Sequence, residues 1–348
     1  MKAKPGAGEV WLEQEAIGVN YLDVTQRNGA VSIPLPSGLG LEGAGRVVAI
    51  GAGVANVAVD DRVAYMLGPI GSYASGRLYP ANRLVRLPDE ISTETGATVL
   101  FKGITAHYLL HSTYAVRPGS VVLLYGAAGA LGQLMASWAK AMGAFVIGVV
   151  SKKSSVERAE AAGCDAVLIW GAGDLPSAVA GLTNGQKADV VYDGIGRPTF
   201  TASLDSLRTR GMMVSIGASG GAPDPVAVAT LNTKGSLFLT RPGLAAHATD
   251  LTEYHRRANA VFDAVIAGVI KPAAANLSAP RCGGGARRIG RWYGGRGGSA
   301  QAMMHALPVN SLQELALLEA ASLFAGSRRE DARWKRGRFL NEPTTQPR

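Results

Sequence analysis

From Val121 to Lys153 the hydrophobic pattern of the chain changes three times. Val121–Tyr125 is an unbroken apolar run, the mark of a strand buried on both faces. A glycine-rich turn follows, then a segment with apolar residues at helical spacing, then a second buried run, Phe145–Val150. The pattern predicts a βαβ unit. The same alternation continues downstream, with helices expected at about 155–162, 178–182 and 198–207 and strands at 166–170, 190–193, 212–216 and 236–240. Successive βα units imply a doubly wound parallel sheet, so the fold class is α/β.

Residues 1 to about 100 are patterned differently. Short apolar segments such as Val10-Trp11-Leu12, 45–50 and 62–65 stand between Gly and Pro signals, which predicts a compact β-rich domain with a turn at Asp60. Helical spacing is expected over 93–111, and Pro118-Gly119 turns the chain into the central strand. Residues 252–268 predict one more helix, with Ala260, Val261, Ala264 and Val265 on its apolar stripe, and a final strand is expected after Lys271. Beyond it the rhythm stops. Residues 281–298 are rich in Gly and Arg without periodicity, and such a composition is expected to be poorly ordered. Residues 312–324 predict an isolated amphipathic helix beside a basic segment at 328–338.

Charge follows this division. The net charge is +9, but residues 281–348 hold 12 basic and 5 acidic side chains, so the remainder is nearly neutral and nucleic acid is not the expected partner. The two cysteines, Cys164 and Cys282, lack neighbours at ligand spacing; neither a zinc cluster nor a disulfide framework is expected, and a reducing cytoplasm is. No run of eighteen apolar residues suggests a membrane span, and the first residues do not read as a signal peptide.

The candidate chemistry lies in the central turn. Gly126, Gly129 and Gly132 stand three apart, with Ala128, Ala130 and Leu131 among them. Small residues there let the backbone approach a pyrophosphate, whose charge is favoured by free N–H groups at the helix start. A tight βα turn without ligand would read alike, but the strand, helix and second strand around it favour a dinucleotide site. Where an NAD enzyme would place an acid for the ribose hydroxyls, this chain has Ser151-Lys152-Lys153. Two cations and no acid suit a 2′-phosphate, so NADPH is expected over NADH; two solvated surface lysines are the alternative.

Six stretches in order extend the pattern: 18–23 (GVNYLD), 35–45 (LPSGLGLEGAG), 101–106 (FKGITA), the glycine turn, 190–196 (VVYDGIG) and 234–242 (KGSLFLTRP). From about Pro5 to Lys271 the chain resembles the quinone oxidoreductase branch of the medium-chain dehydrogenase/reductase superfamily. The resemblance implies a GroES-like catalytic domain at 1–100, shortened at its start, a Rossmann NADP-binding domain at 101–242, a return to the catalytic domain at 243–275, and an atypical tail at 276–348. Relatives carry strands ahead of Pro5 and a closing segment after Ala275 that are not recognisable here, so the catalytic domain is expected to be incomplete and the reading frame to diverge near 272–280.

Zinc-dependent members carry a Cys at the place of Asn20 and a His at the place of Leu41, so zinc is not expected. What remains is direct hydride transfer from NADPH to a quinone or an activated enone. By resemblance Asn20 would orient the acceptor or the carboxamide, and Thr25 stands where relatives carry a Tyr. Thr105, Trp170, Gly217, Phe238 and Thr240 would line the cofactor, though Thr105 also reads as a helix cap and Trp170 or Phe238 as core. The resemblance also implies a homodimer, for which the edge segment at 235–240 is the candidate surface. Two other readings stay open: an enoyl or alkenal reductase, and an NADPH-binding protein without turnover that contacts RNA through the basic tail.

Overall fold

A computed structural model describes residues 3–271. The expected final strand, the helix at 312–324 and the tail lie outside the described residues.

Two sheets organise the chain. The first is antiparallel, in the order β4-β1-β2-β3-β5: β1 Glu9–Gly18, β2 Glu42–Ile50, β3 Arg62–Met66, β4 Gly76–Pro80 and β5 Val85–Arg86. The short apolar segment expected at 10–12 lies in β1, with Val10 and Leu12 buried and Trp11 half-buried. Between β1 and β2 the chain forms α1, Tyr21–Arg27, which hydrophobic spacing did not predict because Asp23 and Gln26 are its buried residues.

The second sheet is parallel, in the order β11-β10-β9-β6-β7-β8: β6 Val121–Tyr125, β7 Phe145–Val150, β8 Ala166–Ile169, β9 Ala188–Asp193, β10 Leu207–Ser215 and β11 Phe238–Thr240. Around it lie α3 Ala130–Ala141, α4 Val156–Ala161, α5 Leu175–Leu182, α6 Phe200–Asp205 and α7 Val228–Thr233. Two bounds differ from expectation for local reasons, and one helix was not expected. The helix expected at 178–182 starts at Leu175 because the Asp174 carboxylate caps it, accepting from the Ser177 N–H at 3.0 Å. Strand β10 begins five residues early, with an irregularity at Arg210, whose φ is 62°. Helix α7 buries no side chain, so it left no hydrophobic period to read.

Helices α2, Thr93–Tyr108, and α8, Leu251–Ile266, join the two sheets. One core includes Ala44, Ala64 and Met66 of the first sheet, Leu100 and Ile104 of α2, Val122 and Val190 of the second sheet, and Val261 and Phe262 of α8. Each large side chain buried there contributes about 1.5–3 kcal/mol. Arg257 of α8 is fully buried in this layer, donating to Glu253 at 2.5 Å, to Ser112 at 3.1 Å and to Nδ1 of His107 at 3.1 Å. The seam between the sheets is thereby packed.

Candidate active site

The strand order reverses between β6 and β9, and ligands of open α/β sheets bind at the carboxyl ends of strands beside such a reversal. The glycine turn follows β6 at this point. Gly126 has φ 65°, in the left-handed region that favours glycine, and a Cβ on Gly132 would meet the Gly126 carbonyl oxygen at 2.1 Å. Small residues are therefore required, and the twelve-residue α3 begins directly behind them with its first N–H groups unused by the helix. Ala128 is buried, Leu131 half-buried and Ala130 exposed.

The other expected cofactor residues fall at the same sheet end, except Phe238 and Thr105, the latter lying within α2. Ser151, Lys152 and Lys153 follow β7, both lysines being exposed, and neither forms an ion pair among the described residues. Trp170 follows β8, half-buried and edge-on to Tyr125 at 6.0 Å. Gly217 follows β10, where a Cβ would meet the Gly194 carbonyl oxygen at 2.8 Å. Thr240 ends β11 opposite Val214. Phe238 instead begins β11, opposite Met212, and is 57% exposed on the sheet edge, so it is not a core residue.

The catalytic candidates lie where the end of β1, the start of β2 and the middle of α2 converge. Asn20 precedes α1 and is buried. Its Nδ2 donates to Oε2 of Glu42 at 2.8 Å, and its Oδ1 accepts from Nζ of Lys102 at 2.9 Å. Lys102 also donates to the Val19 carbonyl at 3.1 Å and lies 3.8 Å from Glu42. Glu42 is fully buried, and Oε1 accepts the Phe101 N–H at 2.7 Å. Burial pushes its carboxyl above the usual range, opposed by the Lys102 charge. Asp23 is buried as well; Oδ2 accepts from the Asn20 N–H at 2.9 Å and from the Tyr73 hydroxyl at 3.0 Å, while Oδ1 has no partner. Burial pushes Asp23 up to about 6, against those two hydrogen bonds and Lys102.

The expected threonines spend their hydroxyl protons within their own helices. Thr25 donates to the Leu22 carbonyl and Thr105 to the Phe101 carbonyl, each at 2.8 Å. Sequence reasoning quoted Lys102, Glu42 and Asp23 only as parts of motifs and passed over Tyr73. One signal was available: Lys102 is a lone charge between Phe101 and Gly103 in an otherwise apolar stretch of helix.

Comparisons with known proteins agree with this geometry. Residues 6–89 match the alcohol dehydrogenase GroES-like domain, and residues 130–241 match a family described as zinc-binding dehydrogenase. Quinone oxidoreductase 1 of Escherichia coli is 41% identical over 270 residues, covering 77% of this chain and 83% of that protein. A 2-haloacrylate reductase of a Burkholderia species is 41% identical over 274 residues, covering 76% and 82%. The solved structure of the E. coli quinone oxidoreductase complexed with NADPH superposes with a TM-score of 0.76 at 40% identity, covering 79% of this chain and 85% of that one. The chain belongs to the quinone oxidoreductase family of the medium-chain dehydrogenase/reductase superfamily.

Zinc does not fit the residues present. Leu41 offers no lone pair, and the Lys102 ammonium already stands against Asn20 and Glu42, where it would repel a dication. Among the described residues no group of three or more His, Cys, Asp or Glu could hold a metal ion.

Proposed function

We propose that the protein is an NADPH-dependent quinone oxidoreductase that works without a metal. The observation that carries this reading is a glycine turn that admits only small residues ahead of α3, with Ser151-Lys152-Lys153 after the second strand, in a chain that also holds the buried Asn20–Glu42–Lys102 network. NADPH, when bound, supplies a hydride. Gly126 to Gly132 admit the pyrophosphate, Lys152 and Lys153 hold the 2′-phosphate, and Trp170, Gly217 and Thr240 border the remainder. Residues 101–242 form the cofactor half. Lys102 and Glu42 fix both ends of the Asn20 amide, so its remaining N–H is held in one direction to receive the acceptor carbonyl.

A second reading, reduction of a conjugated alkene, is favoured by the 41% identity to a protein named for 2-haloacrylate. A panel of ortho- and para-quinones, 2-chloroacrylate and alkenals, each assayed for NADPH oxidation, separates the two. The quinone reading expects the largest kcat/KM with a quinone; a panel in which only the conjugated alkenes react contradicts it.

No helix among the described residues is long and apolar enough to cross a membrane. The buried free thiol of Cys164 suits a reducing cytoplasm. Phe238, Leu239 and Val228 are exposed around the edge strand β11, and a second copy pairing there would cover them. Phe238→Asp is expected to convert the dimer to monomer in light scattering; an unchanged mass contradicts that interface.

A further inference from the structure

Two-electron reduction of a quinone or an enone needs a proton as well as a hydride, and the reading above does not say where it comes from. Four side chains near Asn20 could supply it. The Thr25 hydroxyl is spent on the Leu22 carbonyl. The Lys102 ammonium donates to the Val19 carbonyl and to Oδ1 of Asn20 and stands 3.8 Å from Glu42, so its charge is engaged in holding Asn20 and offsetting the buried carboxylate. Tyr21 is 54% exposed with no carboxylate partner among the described residues. Tyr73 differs from all of these. Its hydroxyl is paired with a buried carboxyl group that itself bonds the backbone of Asn20, so it lies two hydrogen bonds from the acceptor-orienting residue.

The segment that carries Tyr73 is strapped down. Arg77 donates to the Pro69 carbonyl at 2.6 Å, and Nε2 of Gln14 donates to the carbonyls of Ser72 at 2.7 Å and Ala74 at 2.6 Å. Tyr65 in turn holds Oε1 of Gln14. The Tyr73 ring lies over Gly40, where any Cβ would meet it at 2.3 Å. Such support keeps the hydroxyl in place without reorganisation during reaction.

We propose that Tyr73 is the proton donor to the reduced acceptor and that Asp23 is the acid that reprotonates it. The proposal rests on the reductase reading above. NADPH gives the hydride, two electrons and one hydrogen, and becomes NADP⁺; the acceptor takes it and carries a negative charge on oxygen. The Tyr73 O–H bond breaks as its proton passes to that oxygen. The carboxyl proton of Asp23 passes to the Tyr73 oxygen, leaving the carboxylate, which solvent then protonates. The unpartnered Oδ1 of Asp23, buried without a donor, is consistent with a group built to be neutral in one state of the cycle.

The groups facing Asp23 are Tyr73 from the segment before β4, Lys102 from α2 and, at longer range, Glu42 from β2. Lys102 and the Tyr73 hydrogen bond favour the carboxylate, and burial opposes them more strongly, so the carboxyl titrates near 6. Donation requires the protonated form, so the rate is expected to be highest below about 6 and to fall as pH rises above it.

The test uses the full chain with NADPH and 1,4-benzoquinone, and circular dichroism with NADPH fluorescence titration to establish that each variant is folded and loaded. Tyr73→Phe is expected to lower kcat about 100-fold at unchanged NADPH affinity, and Tyr21→Phe to keep the wild-type rate. Asp23→Asn is expected to remove the falling limb of the pH profile. Independently of turnover, carboxyl NMR of the unliganded protein should show Asp23 titrating near 6, and Tyr73→Phe should move that titration upward by removing a bond to the carboxylate. A folded Tyr73→Phe with wild-type kcat overturns the proposal. So does an Asp23 titration that Tyr73→Phe leaves unmoved. Wild-type protein that oxidises NADPH with no acceptor contradicts the reductase reading instead, and the carboxyl titration then decides the Tyr73–Asp23 pair alone.

Discussion

Lys102 and Glu42 set the most exacting electrostatic condition in the site. Glu42 is fully buried, and the one cation facing it is Lys102, whose side chain is 21% exposed. Removing one partner of a buried pair leaves an uncompensated charge and costs about 3–5 kcal/mol, whereas replacing both is often nearly neutral. Lys102→Met is therefore expected to lower the unfolding free energy measured in urea by that amount, and Lys102→Met with Glu42→Gln to recover most of it. Equal losses in the single and double variants would contradict the pairing. Asn20 was legible through the GVNYLD stretch that carries the family resemblance, and its amide both accepts from the Lys102 ammonium and donates to the Glu42 carboxylate. Its partners were not legible, because Asp23, Glu42, Tyr73 and Lys102 come from four segments whose spacing carries no local period.

At the scale of elements, the βαβ unit was legible from pattern alone, because a strand buried on both faces leaves an unbroken apolar run and the turn after it admits only small residues. The close approach of Gly132 to the Gly126 carbonyl makes a direct prediction. Gly132→Ala puts a Cβ where backbone stands, costs about 1–3 kcal/mol of overpacking and displaces the turn, so NADPH affinity measured by fluorescence should fall at least tenfold. Unchanged affinity would contradict the cradle. Elements that bury little escaped the pattern: α7 buries no side chain, and α1 buries Asp23 and Gln26, which a hydrophobic template scores as surface. Phe238 shows the converse, since its apolar character also reads as core and it stands 57% exposed at the sheet edge.

For the whole molecule, the seam where α2 and α8 join the sheets links stability to pH. His107 accepts from buried Arg257, and burial first, then the His111 and Arg257 charges, lower it to about 3. The native state thus binds fewer protons than the unfolded chain between about 6.5 and 3, and stability present above that window is lost as pH falls through it. Asp23 acts with the opposite sign, its contribution greatest below about 4 and lost by about 6. His107→Gln should flatten the fall in thermal midpoint between pH 6.5 and 4; an identical slope in both proteins would contradict the assignment.

The most direct measurement is the initial rate of reduced-cofactor oxidation by the full-length protein with an ortho-quinone, comparing NADPH with NADH in the wild type and in Lys152→Ala/Lys153→Ala. Charge-assisted bonds to a 2′-phosphate contribute about 1.5–3 kcal/mol each, so a quinone-dependent rate favouring NADPH by at least tenfold is expected, with the preference largely lost in the double variant. Equal rates with the two cofactors in the wild type would contradict the phosphate site, and no quinone-dependent rate with either, in folded protein, would contradict the reductase itself.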